Sequence, residues 1–135
     1  MAKRRHDEIR RAVRENYGRV AQEGTTSCCC SPSSCCGKPG EAPLTDISLG
    51  LGYSSKDFAD VPDGSNLVLG CGNPQTIASL QPGETVLDLG SGGGFDCFLA
   101  ARSVGDKGQV IGIDMTPEMI TRSSENAEQG GFLNV

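Results

Sequence analysis

The 135-residue chain is poor in aromatic side chains, at 4% of its residues, and has little aliphatic material in its first sixty positions. The second half must therefore supply most of any core. No stretch approaches the roughly 20 consecutive apolar residues of a membrane span. Residues 1–14 also lack the apolar centre of a secretory leader. These absences predict a cytoplasmic protein with no membrane contact. The single histidine, His6, lies in a basic segment, and neither a histidine–carboxylate base nor an activated serine can be picked out. Conventional acid–base and acyl-transfer machinery is thus missing from the sequence.

The net charge of −5 hides an asymmetry: residues 1–20 hold seven Lys/Arg against three Asp/Glu, and the remainder five against fourteen. The basic end reads as a solvated helix face. A nucleic-acid interface would need a basic patch on the folded body with aromatic or groove-reading elements, and neither is present. Seven cysteines in a reducing compartment point to metal, metalloid or redox chemistry rather than to a disulfide framework.

Along the chain, three parts are expected. Residues 1–23 form an amphipathic helix, with Ile9, Val13, Tyr17 and Val20 at helical spacing and a candidate break at Gly18. Residues 24–46 form a loop of Cys, Ser, Gly and Pro without periodicity. Residues 47–135 begin an α/β domain. In it, residues 53–61 read as a weak helix capped by Ser54 or Ser55 and stopped by Pro62. Gly70-Cys71-Gly72 makes a bend, and Asn73-Pro74 opens a short helix to Leu80. A regular succession follows: strand 85–89, helix 95–104, strand 109–113, and a helix opened by Thr116-Pro117 and closed by Gly130-Gly131. Such βαβα crossovers make parallel sheets. Phe132 to Val135 reads as the start of a third strand, so the expected domain is the front part of a larger one.

The run Thr85–Gly94, T-V-L-D-L-G-S-G-G-G, reads as a buried strand breaking into a glycine loop that backbone can bring against a nucleotide. Asp114 ends the following strand twenty positions beyond Gly94. An acid there can accept hydrogen bonds from both ribose hydroxyls. Two cofactor classes compete. A dinucleotide site wants G-x-G-x-x-G and a pyrophosphate at the helix N-terminus. Here Asp88 precedes Gly90, Gly92 and Gly94, with Ser91 inside the loop. A carboxylate at that place repels pyrophosphate but suits the cationic amino-acid end of S-adenosylmethionine, directly or by positioning the loop. The spacing resembles the first motif of class I S-adenosylmethionine-dependent methyltransferases. Met115 is a candidate to pack on the adenine, or an ordinary apolar turn residue.

Cys28, Cys29, Cys30, Cys35 and Cys36 occupy a segment with no aliphatic side chain before Leu44 except Ala42, so core packing does not explain them. Zinc normally takes C-x-x-C pairs completed by a second pair or by histidines. Runs of adjacent cysteines with one distant histidine fit that poorly, which leaves soft thiophilic ions and metalloids. Cys71, in its glycine-flanked bend, is the strongest candidate ligand. Cys97, beside Phe98 and Leu99, reads as buried against the sheet.

N-L-V-L-G-C-G-N-P (66–74), G-E-T-V-L-D-L-G-S-G-G-G-F-D-C-F-L-A-A-R (83–102), V-I-G-I-D-M-T-P-E-M (110–119) and V-R-E-N-Y-G (13–18) together resemble arsenite S-adenosylmethionine methyltransferases. The resemblance implies a Rossmann-like class I methyltransferase fold, here incomplete, preceded by a helical cysteine-rich extension. It implies S-adenosylmethionine as methyl donor and trivalent arsenic, held by thiolates and delivered as a thiol complex, as acceptor. Cys71 matches the family's Gly-Cys-Gly cysteine, and Cys35 or Cys36, or less closely Cys28 to Cys30, its N-terminal one. Asp88, Gly90, Gly92 and Gly94 match the donor loop and Asp114 the ribose acid. Further arsenic-binding cysteines and the remaining strands fall beyond Val135 in the family. Two other readings stand beside this one: a class I methyltransferase for a small organic acceptor, and a non-catalytic module that sequesters soft metals. Oligomeric state is not legible in the sequence.

Overall fold

In the computed structural model, residues 2–23, 48–70 and 72–135 are described. The expected cysteine loop, including Cys28 to Cys30, Cys35 and Cys36, lies outside the described residues, as does Cys71. Helix α1 spans Ala2–Glu23, α2 Ser55–Ala59 and α3 Gln75–Ala78. Strand β1 (Thr85–Leu89), helix α4 (Phe95–Val104), strand β2 (Gln109–Ile113) and helix α5 (Pro117–Gly130) complete the chain.

The strands pair in parallel, with Thr85 opposite Gln109, Asp88 opposite Gly112 and Leu89 opposite Ile113. The α4 crossover joins them, as parallel pairing requires. Beyond β2, the Val110 amide donates to the Asn134 carbonyl (2.8 Å). That single bond places residues 132–135 beside β2, where a third strand was expected, although no strand is formed there.

Alternation along the strands sends Val86 and Val110 toward α4, where they pack with Cys97, Ala100, Ala101 and Val104. The opposite face corrects the expectation of strands buried on both sides. Leu87 is 55% and Leu89 74% exposed, and Ile111 and Ile113 beside them are exposed as well. Among the described residues only one face of the sheet is covered, because the crossover helix lies on one side.

The helix ends follow local chemistry. Ser54 caps α2 in a reciprocal box with Asp57. Pro117 starts α5, and Gly131 ends it in the left-handed conformation. Helix α1 carries no break at Gly18. It runs through that residue because a bare α-carbon lets it approach α5: a Cβ at Gly18 would meet the Glu118 carboxyl at 3.1 Å. Only the C-terminal part of α1 is packed, with Val20 and Ala21 against Leu67 and Met119, whereas Ile9 and Tyr17 are exposed.

Arg122 on α5 fastens this junction. Its Nη1 donates to the Ala21 carbonyl (2.6 Å) and its Nε to the Gly64 carbonyl (3.0 Å), closing the last turn of α1 and the 62–65 turn onto one side chain. Arg122→Met should keep the aliphatic packing and lose both charge-assisted bonds, at a cost of about 1–3 kcal/mol. Urea unfolding measures this, and an unchanged midpoint would show that the latch contributes nothing.

Candidate functional site

The loop after β1 is held at every step by its neighbours. Gly90 and Ser91 amides both donate to the Ile113 carbonyl (2.7 and 3.1 Å), and the Gly94 amide donates to Ser91 O (2.9 Å). The Gly92 amide donates to Asp114 Oδ2 (3.0 Å), while Asp114 Oδ1 accepts from the Thr116 amide (2.8 Å). Asn126 on α5 donates to the Gly93 carbonyl from a buried side chain (2.9 Å).

The glycines serve different needs. Gly90, Gly92 and Gly94 have φ of +87°, +52° and +91°, values that disfavour side chains. A Cβ added at Gly90 or Gly92 would have no other atom within 4 Å, so these two line open space. Gly93 is instead a close-contact glycine, since a Cβ would come within 2.7 Å of the Ser65 carbonyl.

A cavity of about 590 Å³ opens over this loop, lined also by Tyr17, Tyr53, Leu67 to Gly70, Phe95, Met115 and Met119. Its volume is in the range of small-molecule and cofactor sites. Two carboxylates, Asp96 and Asp114, reach it. Asp88 is not part of its lining. It is turned toward α4, where Asp88 Oδ2 accepts a bond from Cys97 Sγ (3.3 Å). Ser91 is buried, and its Oγ has no partner among the described residues. It sits by Gly112, whose missing Cβ would lie 2.9 Å from both Ser91 Oγ and Cys97 Sγ. Met115 is half exposed.

The structure therefore brings Gly90, Ser91, Gly92, Asp114 and Met115 to one cavity, packs Gly94 on the loop's underside against Ser123 and Phe98, and leaves Asp88 outside the lining. Cys97 is fully buried, and burial, with Asp88 next to it, pushes its thiol well above the usual range. It is an inert core thiol. The described residues contain no cluster of three or more His, Cys, Asp or Glu able to hold a metal ion. No helix among them is long and apolar enough to cross a membrane.

Sequence reasoning missed several residues. Val68 lies at φ +53° on the cavity wall, a strained conformation for a β-branched side chain. Asn66 Oδ1 holds it by accepting from the Val68 amide (2.9 Å). Tyr53 is buried, with its hydroxyl 2.9 Å from Asp96 Oδ1, 3.1 Å from Oδ2 and 2.9 Å from the Gly72 carbonyl. Phe95 packs edge-on against the Tyr53 ring at 5.0 Å. Burial raises the Asp96 carboxyl to about 6, opposed by the Tyr53 hydrogen bond and reinforced by Asp88. Burial and Asp96 likewise push the Tyr53 phenol above its ordinary range. The only sequence signal for this pair was an acid two positions after the last loop glycine.

Comparison with known proteins agrees with this geometry at two levels. Residues 80–135 match the family model described as a methyltransferase domain. A solved protein-L-isoaspartate O-methyltransferase shares the fold, with a TM-score of 0.50 and 21% identity over 90% of this chain and 40% of that one. More particularly, the whole chain is 48% identical to part of an arsenite methyltransferase of Halobacterium salinarum, covering 35% of that protein. It is 32% identical to the Mus musculus arsenite methyltransferase, over 97% of this chain and 33% of that protein. The chain thus spans about a third of the length of these curated relatives. The resemblance to arsenite methyltransferases runs its full length.

Two outcomes test the site. Gly90→Ala should cost about 1–2 kcal/mol for its positive φ alone, whereas Gly94→Ala adds a clash, since its Cβ would fall 2.5 Å from Ser123 Oγ and 2.7 Å from the Phe98 ring. Urea unfolding should therefore rank Gly94→Ala as clearly the more damaging; equal losses would contradict the packing.

For Asp96, the folded chain holds the proton more tightly than the unfolded chain, whose carboxyl titrates near 3.8. The associated stability is complete below that value and is lost as pH rises to about 6. Asp96→Asn should accordingly be more stable than the parent at pH 7 by on the order of 1 kcal/mol, allowing for solvent screening. The gain should shrink toward pH 4. A pH-independent difference in denaturation midpoints would refute the assignment.

Proposed function

We propose that this chain forms the donor-binding part of an S-adenosylmethionine-dependent methyltransferase whose acceptor is trivalent arsenic held by cysteine thiolates, a detoxifying reaction. The observation that carries the reading is the loop itself: glycines at positive φ facing an open cavity, with Asp114 at the end of the next strand, in a chain similar throughout to arsenite methyltransferases.

The residues present suit that donor. Gly90 and Gly92 leave room for close backbone approach, and the cavity has apolar walls for an adenosine and carboxylates for a cation. Asp114 spends one lone pair of each oxygen on the loop and on Thr116. A carboxylate has about four acceptor sites, so it retains capacity for ribose hydroxyls. When bound, S-adenosylmethionine supplies an electrophilic methyl group on a sulfonium. Asp88, behind the loop, acts by positioning it; Asp96 is the carboxylate that faces the cation.

Thiolate-bound trivalent arsenic keeps a lone pair that can form the new arsenic–carbon bond while the carbon–sulfur pair leaves with sulfur. No proton has to be removed, so the step asks for no general base. Proximity and alignment then supply the rate, with reacting atoms at about 3–3.5 Å. Cys71, with Cys35 or Cys36, is the proposed thiolate set. A free thiol titrates near 8.5, so arsenite capture should depend on pH through the thiolate fraction. Arsenite would arrive as a small thiol complex, and no nucleic acid or membrane enters the reaction.

Calorimetry on the intact chain separates the readings. Saturable binding of S-adenosylmethionine is expected; a sequestering module would show none. Arsenite should protect Cys71 from alkylation, and Cys71→Ser should abolish the arsenite-dependent formation of S-adenosylhomocysteine. An unchanged arsenite-dependent rate in that variant would remove Cys71 from the thiolate set, whereas donor binding without any arsenite-dependent product would move the acceptor to a small organic molecule.

A further inference from the structure

We infer that Asp96 is a positioning residue that governs, through Tyr53, the backbone immediately following Cys71. Tyr53 has one phenolic proton and acceptors on two sides, the Asp96 carboxylate at 2.9 and 3.1 Å and the Gly72 carbonyl at 2.9 Å. It cannot donate fully to both. With Asp96 ionised, the charge-assisted bond takes the proton, and the Gly72 carbonyl loses the phenol as donor. With Asp96 protonated, its own O–H donates to Tyr53 Oη and the phenol turns its proton to Gly72. The exchange takes up one proton from water, which forms the Asp96 O–H bond, and changes no other covalent bond.

The surroundings favour a change of hydrogen bonding over a displacement. The Tyr53 ring is wedged against Phe95, which stacks on Phe58 at 5.7 Å. The segment after Cys71 has two further ties to the same region: Asn73 Nδ2 donates to Gly52 O (3.0 Å) and Gln75 Nε2 to Asp96 O (3.2 Å). The ionisable groups acting on the pair are Asp88 from β1, Cys97 from α4 and Asp57 from α2. All are acids, and Cys97 stays a thiol, so among the described residues no cation holds Asp96 ionised. Asp96 also opens α4 directly after the glycine loop. Asp96 therefore lines the cavity and reaches the chain next to Cys71 only through Tyr53. Its meaning for catalysis rests on the arsenic–thiolate reading; the hydrogen-bond exchange does not.

Carbon-13 NMR of the full chain between pH 4.5 and 8, without donor or arsenite, tests the exchange. The Asp96 carboxyl carbon and the Gly72 carbonyl carbon should titrate together with a midpoint close to 6. Tyr53→Phe should abolish the Gly72 inflection while Asp96 still titrates. Asp96→Asn, whose amide can donate to the phenol as the protonated acid does, should hold Gly72 at its low-pH shift throughout. A flat Gly72 resonance in the unmodified chain, or an inflection that survives Tyr53→Phe, would overturn the inference. For the positioning role, Cys28, Cys29, Cys30, Cys35 and Cys36 are replaced by serine and the alkylation rate of Cys71 is compared at pH 8 with and without Asp96→Asn. A difference of about two- to tenfold is expected for one net hydrogen bond; equal rates would overturn it. If these results hold while arsenite transfer is absent, the acceptor reading alone fails.

Discussion

The junction of the glycine loop with the end of β2 is the constraint on which the rest of the site depends. A loop rich in glycine has much conformational freedom to lose, and here backbone bonds remove it. The Ile113 carbonyl takes two amides of the loop, Asp114 a third, and Asn126 returns a donor to the Gly93 carbonyl. Two elements distant in sequence, the end of β2 and α5, thus hold one turn. Its outer surface stays bare at Gly90 and Gly92 because the residues that hold it approach from below. Gly93 and Gly112 serve that underside, where Ser65, Ser91 and Cys97 pack too closely for a Cβ.

The sheet is asymmetric for a related reason. The crossover helix buries Cys97, Ala101, Val104 and Val110 on one face, and the glycine loop leads into α4 on that side. The apolar side chains of the opposite face, Leu87, Leu89, Ile111 and Ile113, remain exposed among the described residues. Parallel strands normally have both faces covered, so this face is a property of the chain as it stands and not of the strands' chemistry.

Charge is arranged by depth. Asp88, expected to serve the donor's cationic end directly or by positioning the loop, lies beside a buried thiol outside the cavity lining, while Asp96 and Asp114 reach the cavity. Asp114 is engaged by two backbone amides, one on each oxygen. Asp96 is partly buried near Asp88 and shares one phenol with a carbonyl, and burial raises its carboxyl to about 6. Two acids with different tasks follow from two different sets of neighbours.

By itself the sequence determined the βαβα succession, since each strand and helix announces itself by period and by a stop: glycines after β1, Gly105 to Gly108, Thr116-Pro117, Gly130-Gly131. The glycine loop and Asp114 were legible for the same reason, because both lie within a few residues of strand ends. Only the tertiary structure decided which acid meets the cavity, that α1 runs unbroken past Gly18, and that Tyr53 joins Asp96 to Gly72 across 43 and 19 positions. Local pattern carries dihedral and burial preferences along one element. It carries nothing about which side of a loop a carboxylate faces, or which distant phenol it meets, because those are set by packing between elements.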